Sequence, residues 1–81
     1  MEQQVIQILE QAFQGMSIEL DEMPSGRFSG SVVWDGFSEH DQADRQRQVR
    51  QVLKAALGEE VQQVGVLLTY TPSELSAMQG A

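Results

Sequence analysis

The hydrophobic period changes at Gly15, and no arrangement of helices alone accommodates that change. Before it, Val5, Ile8, Leu9, Ala12 and Phe13 fall at helical spacing, with glutamine and glutamate on most other positions. After it, Met16, Ile18 and Leu20 alternate with Ser17, Glu19 and Asp21, which is the pattern of a strand with one wet face. The motif DEMPSGR then supplies Pro24 and Gly26, a turn, and the alternation resumes with Phe28, Val32 and Trp34 opposite Ser29, Ser31 and Val33. Two alternating runs around a Pro/Gly turn predict a hairpin. Gly30 falls on the apolar side of its run, where it admits a bulky neighbour or a bend.

The helical period then returns. DGFSEHDQ reads as a loop, with Ser38 and Asp41 spaced as a helix-opening cap. Val49, Val52, Leu53, Ala56 and Leu57 form the next apolar stripe, and Gly58 ends it. VQQVGVLLTYT predicts a third strand, with Val64, Val66, Leu68 and Tyr70 facing inward and Gly65, Leu67 and Thr69 outward. Thr71, Pro72 and Glu74 spell a capping box with proline at the first helical position, so a short last helix is predicted there. The order α-β-β-α-β-α predicts an α+β two-layer sandwich, a three-stranded mixed sheet with helices on one face. Residues 1–81 read as a single domain, since a chain of 81 residues has no room for a second core.

Composition narrows the chemistry. The chain has no cysteine, which excludes disulfides, a catalytic thiol and any site built on its own thiolates. The N-terminus lacks the basic start and continuous apolar run of a signal peptide, and no stretch is long enough to span a membrane, so a soluble, cytoplasmic protein is expected. The net charge of −7 repels phosphate backbones at long range. Yet four of the five positive charges crowd into one helix. Arg47, Arg50 and Lys54 stand at i, i+3 and i+7 on a face off the apolar stripe, with Arg45 to the side. Such a row can grip a protein partner or contact phosphates, or simply be solvated near a helix C-terminus.

The remaining candidates for chemistry are thin. His40 is the only histidine and stands near a helix start, where capping or exposure is the ordinary role. Glu39 and Asp41 beside it are adjacent in sequence and awkward for one coordination sphere. Glu19, Asp21, Glu22, Glu59 and Glu60 lie where exposure is expected, without the burial that shifts a catalytic acid. SGRFSG lacks the spacing of a phosphate-binding loop. The four methionines suggest gap-filling in the core rather than a methionine-lined groove. A non-enzymatic chain with no cofactor and no metal site is expected.

Three stretches together resemble one family. GRFSGSVVWDGF, then DRQRQV with Leu53 after it, then VGVLLTYTPSEL are similar to the framework of BolA-like proteins, in order and spacing, over residues 3–75. The resemblance implies the class II K-homology-like α/β sandwich. It also implies a small adaptor that binds a monothiol glutaredoxin, shares a [2Fe–2S] cluster and serves iron homeostasis, or a DNA-binding regulator. The departures matter as much. The family's ligand histidine at the start of the last strand falls on Gln63, and Arg27 stands in the loop that carries the second ligand. Gln46 replaces the histidine of the family's basic stretch, Glu39 a glycine, and Leu75 a tryptophan. An amide is a poor ligand for iron–sulfur iron.

The expectation is therefore an adaptor that docks on a partner protein, of which a monothiol glutaredoxin is the first choice, without ligating a cluster itself. Its docking surface would comprise Arg27, Arg45, Arg47, Arg50, Lys54 and Gln63. The alternatives are a nucleic-acid-binding regulator using residues 45–54, and an oligomerisation module using Val33 and Leu67. A monomer or weak dimer is expected.

Overall fold

The computed structural model describes residues 2–79. Helix α1 spans Glu2–Ala12, followed by strands β1 (Ser17–Glu22) and β2 (Phe28–Val33), helix α2 (Gln42–Leu57), strand β3 (Val64–Tyr70) and helix α3 (Pro72–Gln79). Short 3₁₀ segments at Asp35–Phe37 and Gly58–Gln63 flank α2. The sheet runs β1-β2-β3, antiparallel between β1 and β2 and parallel between β2 and β3. The element order and the mixed sheet are those the hydrophobic pattern predicts.

The hairpin turn closes through the N–H of Gly26 donating to the Met23 carbonyl at 2.8 Å, with Gly26 at φ +87° where a side chain would be strained. At Gly30 the reason for glycine is a close approach. Gly30 pairs with Leu20, and a β-carbon there would collide with the carbonyl of Glu19 on the neighbouring strand.

Val5 and Leu9 of α1, Val49 and Leu53 of α2, and Val32 and Leu67 of the sheet form one buried cluster with Phe13, Phe37 and Val64. Each fully buried aliphatic side chain contributes about 2 kcal/mol through water exclusion. Three rings lock one end of this layer: Trp34 meets Phe13 edge-on at 5.1 Å and Phe37 at 5.2 Å, and its indole N–H donates to the Gln14 carbonyl at 2.8 Å. Ala12 and Ala56, at the margins of the two stripes, are exposed. Helix α3 takes another side: its Leu75 and Gln79 share a cleft with Ser17, Glu19, Ser31 and Val33, outward residues of β1 and β2.

Three local expectations are corrected. The cap of α2 is Asp41, whose side chain accepts from the Asp44 N–H at 2.9 Å, whereas Ser38 closes the preceding 3₁₀ turn. The run read as strand from residue 61 begins as strand only at Val64, because Gly58–Gln63 coil first into 3₁₀ conformation and bury Val61.

The third correction reverses the faces of β3. Phe28 pairs with Val64, but Gly30 pairs with Leu67, so β3 carries one extra residue against β2. That bulge shifts the alternation by one. Leu67 and Thr69 point into the core, at 4% and 2% exposure, while Val66 and Leu68 point outward at 65% and 49%. Tyr70 is half-buried. The outer apolar residues are therefore Val33, Val66 and Leu68, and Leu67 is unavailable to an oligomerisation face.

Candidate functional site

The cations of α2 divide by helical phase into an inner and an outer set. Arg45 lies one helical turn before Val49 on the buried side, so its side chain must enter the interior; it is 4% exposed. A guanidinium there needs acceptors for most of its donors. Its Nε donates to the carbonyls of His40 (2.8 Å) and Phe37 (3.2 Å), and its Nη1 donates to that of Thr69 (3.4 Å). Both Nη groups grip the Glu74 carboxylate, at 2.7 and 3.0 Å. The ring of Phe37 lies 5.7 Å below the guanidinium carbon. Arg45 is thus a structural clamp between α2, β3 and α3, and it cannot supply surface charge to a partner.

Glu74 completes the arrangement. Its Oε1 also accepts from the Thr71 N–H at 3.0 Å, while the Thr71 hydroxyl accepts from the Glu74 N–H at 3.1 Å, the predicted capping box. The hydrogen bond from Arg45, helped by that of the Thr71 N–H, holds the Glu74 carboxyl at about 2. The same hydrogen bond with Glu74 raises Arg45 further above its ordinary range.

The outer set stays in water. Arg47 pairs with Asp44 at 2.9 Å on the same helix, an exposed contact that contributes little. Arg50 and Lys54 are exposed, and among the described residues neither they nor Arg27 forms a salt bridge. Arg27, in the hairpin loop, donates its Nε to the Gln62 carbonyl at 3.1 Å. That contact draws the hairpin loop to the segment before β3, where Gln63 is exposed. Arg27, Arg50 and Gln46 line one groove of about 460 Å³ together with Ser25, Ser29 and the bulge residues Gly65 and Val66. The structure therefore brings together Arg27 and Arg50, sets Arg47 and Lys54 on either side of Arg50 along the exposed face of α2, and removes Arg45.

Two glutamines on α2 close the outer edge of β3. Gln46 donates to the Leu67 carbonyl at 2.7 Å, and Gln42 donates to the Thr69 carbonyl at 3.0 Å while accepting from the Thr69 hydroxyl at 2.6 Å. These carbonyls point away from β2 and would otherwise be open to a foreign strand. Gln46 thus has a sealing role that the sequence did not disclose. The sequence also missed Met23 and Val66 in the groove. Met23 is 44% exposed and Met78 59%, so among the described residues Met16 alone is a buried core methionine.

Placement also decides the fit of a shared cluster. His40 lies at the end of β3 where Thr69 and Glu74 meet Arg45, whereas Gln63 precedes the strand. At about 3.3 Å per residue, the stretch from Gln63 to Thr69 is about 20 Å long, so the two lie at opposite ends of β3. Around Gln63 stand Arg27 and amide groups, without thiolate or imidazole, so the donor set does not suit a [2Fe–2S] cluster. Among the described residues no three His, Asp or Glu side chains gather as metal ligands, and no helix is long and apolar enough to cross a membrane.

The architecture has close parallels among solved structures. The BolA domain of SufE1 from Arabidopsis thaliana superposes with a TM-score of 0.73 at 18% identity, over 89% of this chain and 92% of that one. The chain has the BolA fold. BolA1 from Arabidopsis thaliana gives 0.69 at 19% identity over 89% and 92% of the two chains. A bol-like protein from Babesia bovis gives 0.67 at 21% identity over 98% and 93%. No family profile and no curated protein sequence matches the chain.

Proposed function

We propose that this chain is a divergent BolA-like adaptor, non-enzymatic and cytoplasmic, that docks on a protein partner without supplying cluster ligands. One observation carries the proposal: in a chain of net charge −7, the surface cations Arg27, Arg50 and Lys54 form no salt bridge among the described residues and border the segment leading into β3. Charges left unpaired around a groove favour a complementary partner and speed its approach. The two groups with clearly shifted ionisation, Arg45 and Glu74, are committed to each other and to the fold, which supports a binding rather than a catalytic role. A monothiol glutaredoxin is the partner the BolA-like resemblance favours, and a monomer or weak dimer is the proposed free state.

The test mixes the protein with a cluster-loaded monothiol glutaredoxin and follows amide NMR shifts together with visible circular dichroism of the cluster. Shifts around Arg27, Arg50 and Gln63 with an unchanged cluster spectrum are expected. A changed cluster spectrum would mean ligation from this chain after all. No shifts would end the glutaredoxin assignment.

A second reading rests on the exposed row Arg47, Arg50 and Lys54, which suits a phosphate backbone. Three phosphate contacts would give a slope of about −2 to −3 in log affinity against log salt. Titration of a single-stranded oligonucleotide at several salt concentrations measures it, and a flat response removes this reading.

A further inference from the structure

Two depressions on this surface are one continuous groove with unlike ends. The first holds Arg27 and Arg50. The second runs over the open sheet face between Met23, Val66 and Leu68, and the two share Met23, Ser29 and Val66. We infer that this groove takes a short extended segment of a partner protein in which a carboxylate side chain is followed closely by a large apolar one. The inference rests on the protein-docking reading above and names the chemistry of what docks.

The polar end is built for one or two carboxylates. With its Nε held by the Gln62 carbonyl, Arg27 keeps both Nη groups for a ligand, and Arg50 faces it across the groove from α2. Guanidinium forks match carboxylates bidentately. The bulge shapes the floor: a β-carbon at Gly65 would approach the Ser29 hydroxyl to 2.8 Å, so glycine there keeps the wall of the groove low.

The apolar end excludes a nucleic acid. Met23, Val66 and Leu68 are exposed at 44%, 65% and 49%, large side chains that gain from being covered. Asp21 borders that end and repels a second phosphate placed there. A phosphodiester chain would need cations along the whole path. A peptide with an acidic residue and a neighbouring leucine or phenylalanine needs one charged end and one apolar end, as here. The outer edge of β3 is sealed by Gln42 and Gln46, so the segment lies across the sheet face and does not add to the sheet as a strand.

The experiment titrates the isotope-labelled full chain with a capped six-residue peptide carrying two glutamates followed by two leucines. Controls replace the glutamates by glutamines, replace the leucines by glycines, or substitute an oligothymidylate. We expect shifts at the amides of Arg27, Ser29, Gly65, Val66 and Leu68, with a Kd of about 1 mM or tighter. Either peptide control, Arg27→Gln, or Arg50→Gln should weaken binding at least about tenfold. Both arginines are exposed, so both variants fold. Peptide shifts elsewhere, no shifts at all, equal binding of the leucine-free peptide, or preference for oligothymidylate would each overturn the proposal. The same variants separate it from the docking reading. If a glutaredoxin binds the Arg27→Gln, Arg50→Gln double variant as tightly as wild type, the groove assignment fails and the adaptor reading stands. If the peptide binds and the glutaredoxin does not, the groove stands and that partner is wrong.

Discussion

Replacing Arg45 by methionine separates an internal clamp from a surface charge, because the two roles predict opposite outcomes. Methionine keeps most of the stem volume and removes every donor. The Phe37 carbonyl retains its bond from the His40 N–H at 3.0 Å, and the Thr69 carbonyl retains Gln42. Only the His40 carbonyl loses its one protein donor, and His40 is half-buried. Glu74 keeps its capping bonds, and its side chain is 45% exposed, so water can solvate it. The loss is thus smaller than the ~3–5 kcal/mol of breaking a fully buried ion pair. One poorly replaced carbonyl bond and the charge-assisted bonds to Glu74 together amount to about 2 kcal/mol. For a domain of this size that lowers the melting temperature by about 10 °C. Urea titration followed by the fluorescence of Trp34, the single tryptophan, should show a midpoint lowered by about 1.5 M at unchanged slope. A loss below about 0.5 kcal/mol would refute the clamp, since that is the range of ordinary surface substitutions. So would partner binding abolished at full stability.

Acid should act through Glu74. Its carboxyl lies at about 2 in the folded chain against an ordinary 4.5, so the unfolded chain binds more protons between those values. The contribution is complete above 4.5, is lost as pH falls through about 2, and should be missing from Glu74→Gln in acid-unfolding curves over that window. A window unchanged in the variant would contradict this. Gly30→Ala should cost about 3 kcal/mol, because the obstacle is the Glu19 backbone and not a movable side chain; chemical denaturation measures it, and a cost under about 1 kcal/mol would mean the strands can part. The bulge predicts that Leu67→Ala costs about 3 kcal/mol and Leu68→Ala about 0.5 kcal/mol, the reverse of an unbroken alternation. Equal costs would remove the bulge from the account.

The difference between legible and illegible features follows from range. The helices, the hairpin and the Thr71–Glu74 capping box depend on residues within a few positions of each other, and periodicity carries that information. The bulge does not. Val66, Leu67 and Leu68 are all apolar, so the run fits either phase, and the choice lies in how closely Gly65 approaches Ser29 on another strand. The one local hint was a glycine inside a strand pattern. Arg45 was hidden for a similar reason. Its place on the helical wheel adjoins the buried stripe, but the carbonyls that make burial tolerable come from residues 37, 40 and 69. A charged residue next to an apolar stripe reads as flanking until those partners are known.

The cations of this chain fall into three groups, and the grouping bears on what the fold can be used for. Arg45 is consumed by Glu74 and three carbonyls, and Arg47 leans on Asp44. Arg27, Arg50 and Lys54 form no salt bridge among the described residues, although the chain holds twelve acidic residues. The scaffold alone does not explain that separation of charge, because the BolA fold is matched here at about one residue in five and leaves surface chemistry open. What distinguishes this surface is that the unpaired arginines adjoin exposed Met23 and Val66 across a one-residue bulge. Without the bulge Val66 would be buried and the groove would lose its apolar wall. The extra residue that reverses β3 therefore also makes the site, because the same slip that carries Leu67 into the core sets Val66 outward beside Arg27 and Arg50.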